Sequence, residues 1–291
     1  MTLTPSTLLG ADNEKPCVSQ VFGISGTGKT VFLCETVRNA ARSKDFGPAH
    51  RFIIFDVKHE GYTTLAPPKS TVSEALKNID KEKVVVIHPE METALSELNS
   101  LINFLFDSAK NNPDFSATLI LEESSTFIGS SVGSIPPSLK RFATQGRRLG
   151  LSLLLVNQRA LSNKWTDTQS SSITCFRLAR PDAKMLNDRW GLNAEEMDTR
   201  LAEQKFSFSH FDLETLTLSY YDPRYSRTPS YNSWWLPLIM AYMNSLVDGM
   251  KLAFMVTFVL AIVNGTTARF SKSNQTLDQM ITEKLPSVGG Q

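Results

Sequence analysis

The sequence GISGTGKT, residues 23–30, decides the fold of this chain, because it is a full match to the pattern G-x-x-x-x-G-K-[ST]. An apolar run from Cys17 to Phe22 precedes it, and a helical pattern begins at Lys29. Glycines let the backbone wrap closely around an anion, which the loop amides and the helix N-terminus then bind. Strand, loop and helix together predict a phosphate-binding loop. Its predicted ligand-binding residues are Gly23, Ser25, Gly26, Thr27, Gly28, Lys29 and Thr30.

The same loop predicts the ligand. In this pattern the lysine, here Lys29, contacts the β- and γ-phosphate oxygens, and the hydroxyl of Thr30 binds Mg²⁺. We therefore expect the chain to bind ATP and Mg²⁺ and to be an ATPase.

Polar residues at the ends of other apolar runs are candidates for the rest of the site. LILEES, residues 119–124, places Glu122 where a second metal ligand is needed and Glu123 where a base could activate water. FDVKHEGY, residues 55–62, ends another run with Asp56, a candidate for positioning water or ordering the loop beside the phosphates. Gln158 follows a further run and is a candidate sensor of the γ-phosphate.

The pattern along residues 17–221 indicates an α/β fold. Short, largely β-branched runs alternate with helical patterns, which predicts a RecA-like core with a mainly parallel central sheet. The two runs that follow, Lys205–Ser209 and Thr215–Tyr221, predict a closing antiparallel hairpin. The predicted strands are Cys17–Phe22, Arg51–Phe55, Val84–Ile87, Thr118–Leu121, Ser152–Val156 and Ile173–Leu178, and the predicted helices are Lys29–Ser43, Met91–Ala109, Pro136–Leu149 and Pro181–Trp190.

Charge is unevenly distributed, although the whole chain carries only +1 and 41% hydrophobic residues, a composition that excludes disorder throughout. Residues 140–189 hold ten Lys and Arg against three Asp, whereas residues 51–130 hold seven basic and twelve acidic side chains. A nucleic-acid partner must therefore bind a local patch of positive charge, because the net charge of the whole chain is too small to attract it. The basic region is a candidate for phosphate contacts or a subunit interface, and it is equally consistent with a solvated surface.

Taken together, GISGTGKT, FDVKHEGY, LILEES and QGRRLGLSLLLVNQR, residues 145–159, resemble the HerA/FtsK superfamily of RecA-like motor ATPases. Members with so short a core are the genome-packaging ATPases of membrane-containing double-stranded DNA viruses. The resemblance covers about residues 15–225 and implies a hexameric ring that pumps double-stranded DNA, without sequence specificity, through its pore.

Position by position, the resemblance makes Lys29 and Thr30 the Walker A pair, Glu122 and Glu123 the Walker B pair, and Gln158 the family's glutamine. Glu122 departs from the family, which has aspartate there. Asp56 and Glu60 match an acidic segment of the family, but here the glutamate precedes the glycine, which leaves the role of Glu60 open.

The resemblance also implies an arginine supplied by the neighbouring subunit. Arg147 and Arg148 are the leading candidates, with Arg177 and Arg180 behind them, and an exposed solubilising turn is the plain alternative. Implied partners are double-stranded DNA, further copies of the chain, and capsid or virion membrane proteins.

An apolar stretch, residues 234–263, follows the predicted ATPase domain, residues 1–228, and precedes a polar tail, residues 264–291. Of its 30 residues, 23 are apolar and only Asp248 and Lys251 are charged. It is a candidate membrane anchor, with a helical hairpin packed on protein as the alternative. We expect the protein in the virion or the host cytoplasm, with attachment to a lipid bilayer through this stretch.

A second function fits the same features. Filamentous-phage assembly ATPases of the zonula-occludens-toxin-like kind also place a phosphate-loop domain before one membrane span. The FDVKHEGY segment and Gln158 favour packaging, whereas the apolar stretch favours extrusion of single-stranded DNA.

Overall fold

The computed structural model describes residues 8–10, 17–59, 61–129, 131–160, 163–203 and 206–221. The apolar stretch at residues 234–263, the polar tail and Glu60 lie outside this set, so their predictions stay predictions. Among the described residues, no helix has both the length and the apolar character needed to cross a bilayer.

Eight strands form a single sheet in the order β3-β2-β4-β5-β1-β6-β7-β8. The first six are parallel and the last two are antiparallel, which confirms the predicted α/β class and the closing hairpin. The strands are β1 (Val18–Phe22), β2 (His50–Asp56), β3 (Val84–Ile87), β4 (Ser116–Glu122), β5 (Leu151–Asn157), β6 (Ser172–Cys175), β7 (Phe208–Asp212) and β8 (Thr217–Tyr221).

Seven α-helices connect these strands within the described residues. The four predicted helices are confirmed with ends shifted by a few residues, whereas α2, α5 and α7 are too short or too polar to have been predicted. The helices are α1 (Lys29–Arg42), α2 (Val72–Leu76), α3 (Ala94–Asn111), α4 (Pro137–Gln145), α5 (Lys164–Gln169), α6 (Arg180–Trp190) and α7 (Ala194–Glu203).

Apolar side chains cover both faces of the sheet. Successive residues of a strand point to opposite faces, so Ile53 and Phe55 belong to one core cluster while Phe52 and Ile54 belong to another. The first cluster is completed by α3 and α4 and the second by α1. Burial on both faces explains why the parallel strands are continuously apolar rather than alternating.

The hairpin is displaced from its predicted position. β7 starts at Phe208 rather than Lys205, because the alternating pattern of this polar segment does not specify where pairing with β6 begins. The three cysteines, Cys17, Cys34 and Cys175, are buried and unpaired.

Candidate nucleotide-binding site

Apart from Arg147 and Arg148, the predicted site residues lie at the carboxyl edge of the parallel strands. β1 leads directly into the phosphate loop, Asp56 lies opposite Glu122 in the β2–β4 register, and Asn157 lies opposite Phe22 in the β5–β1 register. Parallel strands all end at the same edge, and ligands of open α/β sheets bind there. The topology therefore brings together motifs that are up to 130 residues apart in sequence.

The phosphate loop is held in a fixed conformation by its own side chains. The buried ammonium of Lys29 donates hydrogen bonds to the carbonyls of Gly23, at 2.6 Å, and Ile24, at 3.2 Å. The hydroxyl of Thr27 donates to the Ile24 carbonyl at 2.8 Å. Gly28 caps α1 with φ +99°, a conformation that strongly favours glycine. The lysine and the start of α1 thus face the same small space, as anion binding requires.

Glu122 is buried and bonded to the loop that follows β2. It accepts a hydrogen bond from the hydroxyl of Tyr62 at 2.5 Å. Burial, and then the neighbouring carboxylate of Glu122, raise the pKa of Tyr62 well above its ordinary value, so the phenol stays a donor. Gly61 brings this loop against Thr30, since a methyl group at Gly61 would lie 3.2 Å from the Thr30 Cγ2 atom. The two predicted metal ligands therefore border the same loop.

The residues present suit Mg²⁺. This ion is usually held by one or two carboxylates or hydroxyls together with waters and substrate phosphates, rather than by an all-protein cage. Thr30 and Glu122 are oxygen ligands of that kind. In the described parts of the chain, no group of three or more His, Cys, Asp or Glu forms a cage for another metal.

Glu123 occupies a different environment from its neighbour Glu122. Its carboxylate is paired with the ammonium of Lys58 at 2.8 Å and accepts a hydrogen bond from the Ser125 hydroxyl at 2.9 Å. Its backbone is left-handed, with φ +48°, which is uncommon for a residue other than glycine. Such local strain is often retained where a side chain must be aimed at a ligand.

Asn157 fixes the turn that carries Glu123. Its side chain, which is buried, accepts from the Ser125 amide at 2.7 Å and donates to the Ser124 hydroxyl at 2.7 Å. The end of β5 is thus bonded to the residues that follow β4. Gln158, the predicted sensor, is the next residue along and lies at the strand end beside the phosphate loop.

Asp56 is fully buried and orders its own loop. Its carboxylate accepts the Lys58 amide at 3.0 Å and lies 3.3 Å from the imidazole of His88, without hydrogen-bond geometry. Burial lowers the pKa of His88, while Asp56 opposes that shift. The His88 ring stacks on His59, with centroids 4.6 Å apart. This geometry fits the predicted loop-ordering role of Asp56.

Arg147 and Arg148 do not join this chain's own site. They are exposed in a short 3₁₀ turn, Gly146–Leu149, that precedes β5, whereas Gln158 follows that strand. Seven residues of strand separate the two ends by about 20 Å. From this position neither arginine reaches the phosphate loop of its own chain. Arg177, by contrast, is exposed beside the phosphate loop, and its carbonyl accepts the Ile24 amide at 3.0 Å.

The basic region at residues 140–189 does not form one surface. Its chain crosses the sheet between the two edges several times, and part of its charge is engaged locally. Arg189 pairs with Asp167 at 2.5 Å, Arg159 lies 3.5 Å from Asp182, and Arg141 lies over the Phe106 ring. The basic charge of residues 140–189 is therefore not evidence for one continuous DNA-binding surface.

Sequence reasoning missed three side chains of the site. Lys58 and Tyr62 lie within the segment FDVKHEGY, and Asn157 immediately precedes Gln158. The sequence therefore indicates the segments that hold these residues, but it does not indicate their hydrogen-bond partners. The side-chain bonds depend on the path of the loop, which turns at His59, with φ +59°, and at Gly61, with φ +81°. No short pattern indicates those angles.

Known proteins resemble this chain in structure rather than in sequence. No protein-family model and no curated protein sequence match it. The genome packaging NTPase B204 from Sulfolobus turreted icosahedral virus 2, in complex with AMPPCP, matches 72% of this chain and 98% of its own length with TM-score 0.54 and 15% identity. B204 from Sulfolobus turreted icosahedral virus matches 71% and 98% with TM-score 0.51 and 15% identity.

The N-terminal domain of zonular occludens toxin from Neisseria meningitidis matches 71% of this chain and 93% of its own length, with 13% identity and TM-score 0.40. The last value is too low to support an argument. The B204 matches show that the chain has the fold of a P-loop NTPase, and the chain carries a full G-x-x-x-x-G-K-[ST] sequence at residues 23–30.

Proposed function

We propose that this chain is an ATP-hydrolysing motor of the HerA/FtsK superfamily that moves viral double-stranded DNA into a capsid. One observation carries the proposal. The phosphate loop and the Glu122–Glu123 strand end meet at one sheet edge, on a fold shared with the packaging NTPase B204 over most of that protein's length. Neither the site alone nor the fold alone supports packaging. Their combination in one chain supports the proposal of an ATP-driven motor.

The chain's own residues account for the chemistry of hydrolysis. Lys29 and the loop amides bind the triphosphate, while Thr30 and Glu122 would hold Mg²⁺, whose charge neutralises the phosphate oxygens. Glu123 accepts a proton from the attacking water as the new O–P bond forms and ADP leaves. Asn157 keeps Glu123 on a fixed turn, and the proposed role of Gln158, which follows β5, is to contact the γ-phosphate.

The role of Arg147 and Arg148 requires a second copy of the chain. Their exposed turn, at the edge opposite the phosphate loop, is suited to reach the nucleotide of an adjacent subunit in a ring. An arginine supplied in this way stabilises negative charge on the transferring phosphate. The proposed assembly is a hexamer around a duplex, working with capsid or virion membrane proteins in the virion or host cytoplasm. The residues at 234–263 are the proposed attachment to membrane.

Stimulation of ATP hydrolysis by DNA tests the proposal. We expect linear duplex DNA of random sequence to raise turnover of the full-length protein, and we expect Lys29→Ala to show no turnover with or without duplex. Because phosphate contacts dominate such binding, stimulation should decline steeply between about 50 and 200 mM salt. If duplex DNA at low salt does not change the rate of ATP hydrolysis, the result would contradict a packaging function but not the ATPase assignment.

Extrusion of single-stranded DNA by a phage-assembly ATPase is the second candidate, favoured by the apolar stretch at residues 234–263. The two functions differ in the polymer that they track. Stimulation by single-stranded DNA with none by duplex would replace the first proposal with the second.

A further inference from the structure

Two large apolar side chains are exposed beside the start of α1, where burial would be expected. Val31, in the first turn, is 63% exposed, and Phe206, just before β7, is 45% exposed. Phe206 lies directly against the phosphate loop, since a methyl group at Gly28 would be only 2.7 Å from its Cδ1 atom. Gly28 therefore serves two needs, a left-handed turn and room for this ring.

The backbone of Phe206 is also in an uncommon conformation. Its φ is +72°, and bulky residues seldom adopt the left-handed region because Cβ crowds the backbone. Backbone strain is often retained where a side chain is held against a ligand. The exposed part of the Phe206 ring lies beside the phosphate loop, where a nucleotide would bind.

A cavity begins next to Phe206. It has a volume of about 300 Å³ and is lined by Ser207, Phe208, Tyr220 and Tyr221 together with residues of α7. Phe208 also packs on Phe32 of α1, with ring centroids 4.7 Å apart, so the cavity borders the helix that starts at the phosphate loop. The Tyr220 hydroxyl is buried without a hydrogen-bond partner in the described part of the chain.

We propose that Phe206 and Val31 form the base subsite of the nucleotide, with the purine ring of ATP stacked on Phe206. This rests on the proposed function, in which the triphosphate occupies the loop at Gly28 and Lys29. The nucleoside must then leave the loop across a neighbouring surface, and these two side chains are the apolar surface that the described residues expose there. Aromatic side chains stack well on the flat face of a base.

The test separates the base from the phosphates by comparing two ligands. Dissociation constants for ATP and for inorganic tripolyphosphate, each with Mg²⁺, are measured by calorimetry on the full-length protein. We expect Phe206→Ala to weaken ATP binding about 5- to 100-fold, the range observed when a stacked aromatic is removed. Tripolyphosphate has no base, so its affinity should stay within about twofold of wild type. Phe206→Trp should keep ATP binding close to wild type.

Two further variants control for backbone strain. Leu216→Ala removes another exposed apolar residue at positive φ, in the β7–β8 turn, and should leave ATP binding unchanged. Phe206→Gly relieves the strain and removes the ring, so it should melt no lower than wild type yet bind ATP as weakly as Phe206→Ala. Equal loss of ATP and tripolyphosphate affinity, or unchanged ATP affinity in Phe206→Ala, would overturn the base subsite. Wild-type protein that binds neither ligand would instead overturn the proposed function.

Discussion

At the carboxyl edge of the sheet, two buried carboxylates contact side chains of neighbouring segments, whereas at the amino edge a buried imidazole bonds to two strand hydroxyls and the buried Arg51 donates to backbone carbonyls. Glu122 and Asp56, at the first edge, contact Tyr62 and His88. At the second edge the imidazole of His50 bonds to the hydroxyls of Ser116, at 2.8 Å, and Thr118, at 3.0 Å.

The difference separates function from stability. Buried charge is costly unless it is well paired, so a fold retains it where chemistry requires it. A neutral network of hydroxyls and imidazole satisfies buried polar groups at low cost and holds strands in register. Substitutions at the carboxyl edge should therefore change turnover, and those at the amino edge should change the free energy of unfolding. The exposed Arg147 and Arg148 are the expected exception, because their proposed role is at the nucleotide of a neighbouring subunit.

The largest expected effect tests that exception. Arg147→Ala/Arg148→Ala should lower turnover by about 10³-fold or more, the contribution of an arginine supplied by a neighbouring subunit, without changing thermal stability. Mixing this variant with Lys29→Ala should restore part of the activity, because some subunit contacts then combine an intact loop with intact arginines. The matched control mixes Arg177→Ala with Lys29→Ala. Arg177 lies beside the phosphate loop of its own chain, so no recovery of activity is expected in that mixture. Recovery with Arg177 and none with the pair would reverse the assignment.

The second effect tests the division between the two adjacent glutamates. Glu123→Gln removes the proton acceptor and should reduce turnover about 10²- to 10⁴-fold while ATP remains bound. Glu122→Gln should weaken Mg²⁺-dependent ATP binding as well, because its carboxylate is the proposed metal ligand. Single-turnover hydrolysis and equilibrium binding distinguish the two. Normal turnover in Glu123→Gln would show that another group activates water.

The convergence at the carboxyl edge could be predicted from the sequence, because each motif follows an apolar run and parallel strands end together. The partners within the site could not. The bonds of Tyr62 and Lys58 depend on left-handed angles at His59 and Gly61, and no pattern in the sequence specifies both.

Two other sequence expectations are limited for physical reasons. The basic region at residues 140–189 is continuous in sequence. Its strands and helices run between both edges of the sheet, so its basic residues do not lie close together in space. The alternation of Phe206 and Phe208 within Lys205–Ser209 predicts a strand residue rather than a site residue, and the contact of Phe206 with Gly28 arises only from the fold.

A smaller effect is expected at Lys58, which pairs with Glu123 near the surface. If the ammonium restrains the base until DNA is engaged, Lys58→Met should raise turnover without DNA about 1.4- to fivefold, matching the roughly 0.2–1 kcal/mol of a partly exposed ion pair. Turnover with duplex should change little, so the stimulation ratio falls. Lys58→Arg keeps the charge and should retain the wild-type ratio. Equal loss of turnover with and without duplex would instead make Lys58 a positioning residue.

The last effect leaves turnover at pH 7 unchanged and concerns the amino edge alone. Burial, and then the charges of Lys83 and Arg51, lower the pKa of His50 to about 3. The unfolded chain binds a proton near pH 6.5 and the folded chain does not, so stability falls as the pH drops from about 6.5 towards 3, by up to about 1.4 kcal/mol per unit.

His50→Gln keeps a donor and an acceptor for Ser116 and Thr118 but does not titrate. In urea unfolding at pH 7, 6, 5 and 4, the free energy of unfolding of wild type should exceed that of His50→Gln at pH 7. This difference in free energy should shrink as the pH falls. Other titrating groups are common to both proteins and cancel in that difference. Parallel curves would mean that His50 takes up a proton equally well in the folded and unfolded chain, and a neutral His50 network would then not explain the stability of this edge.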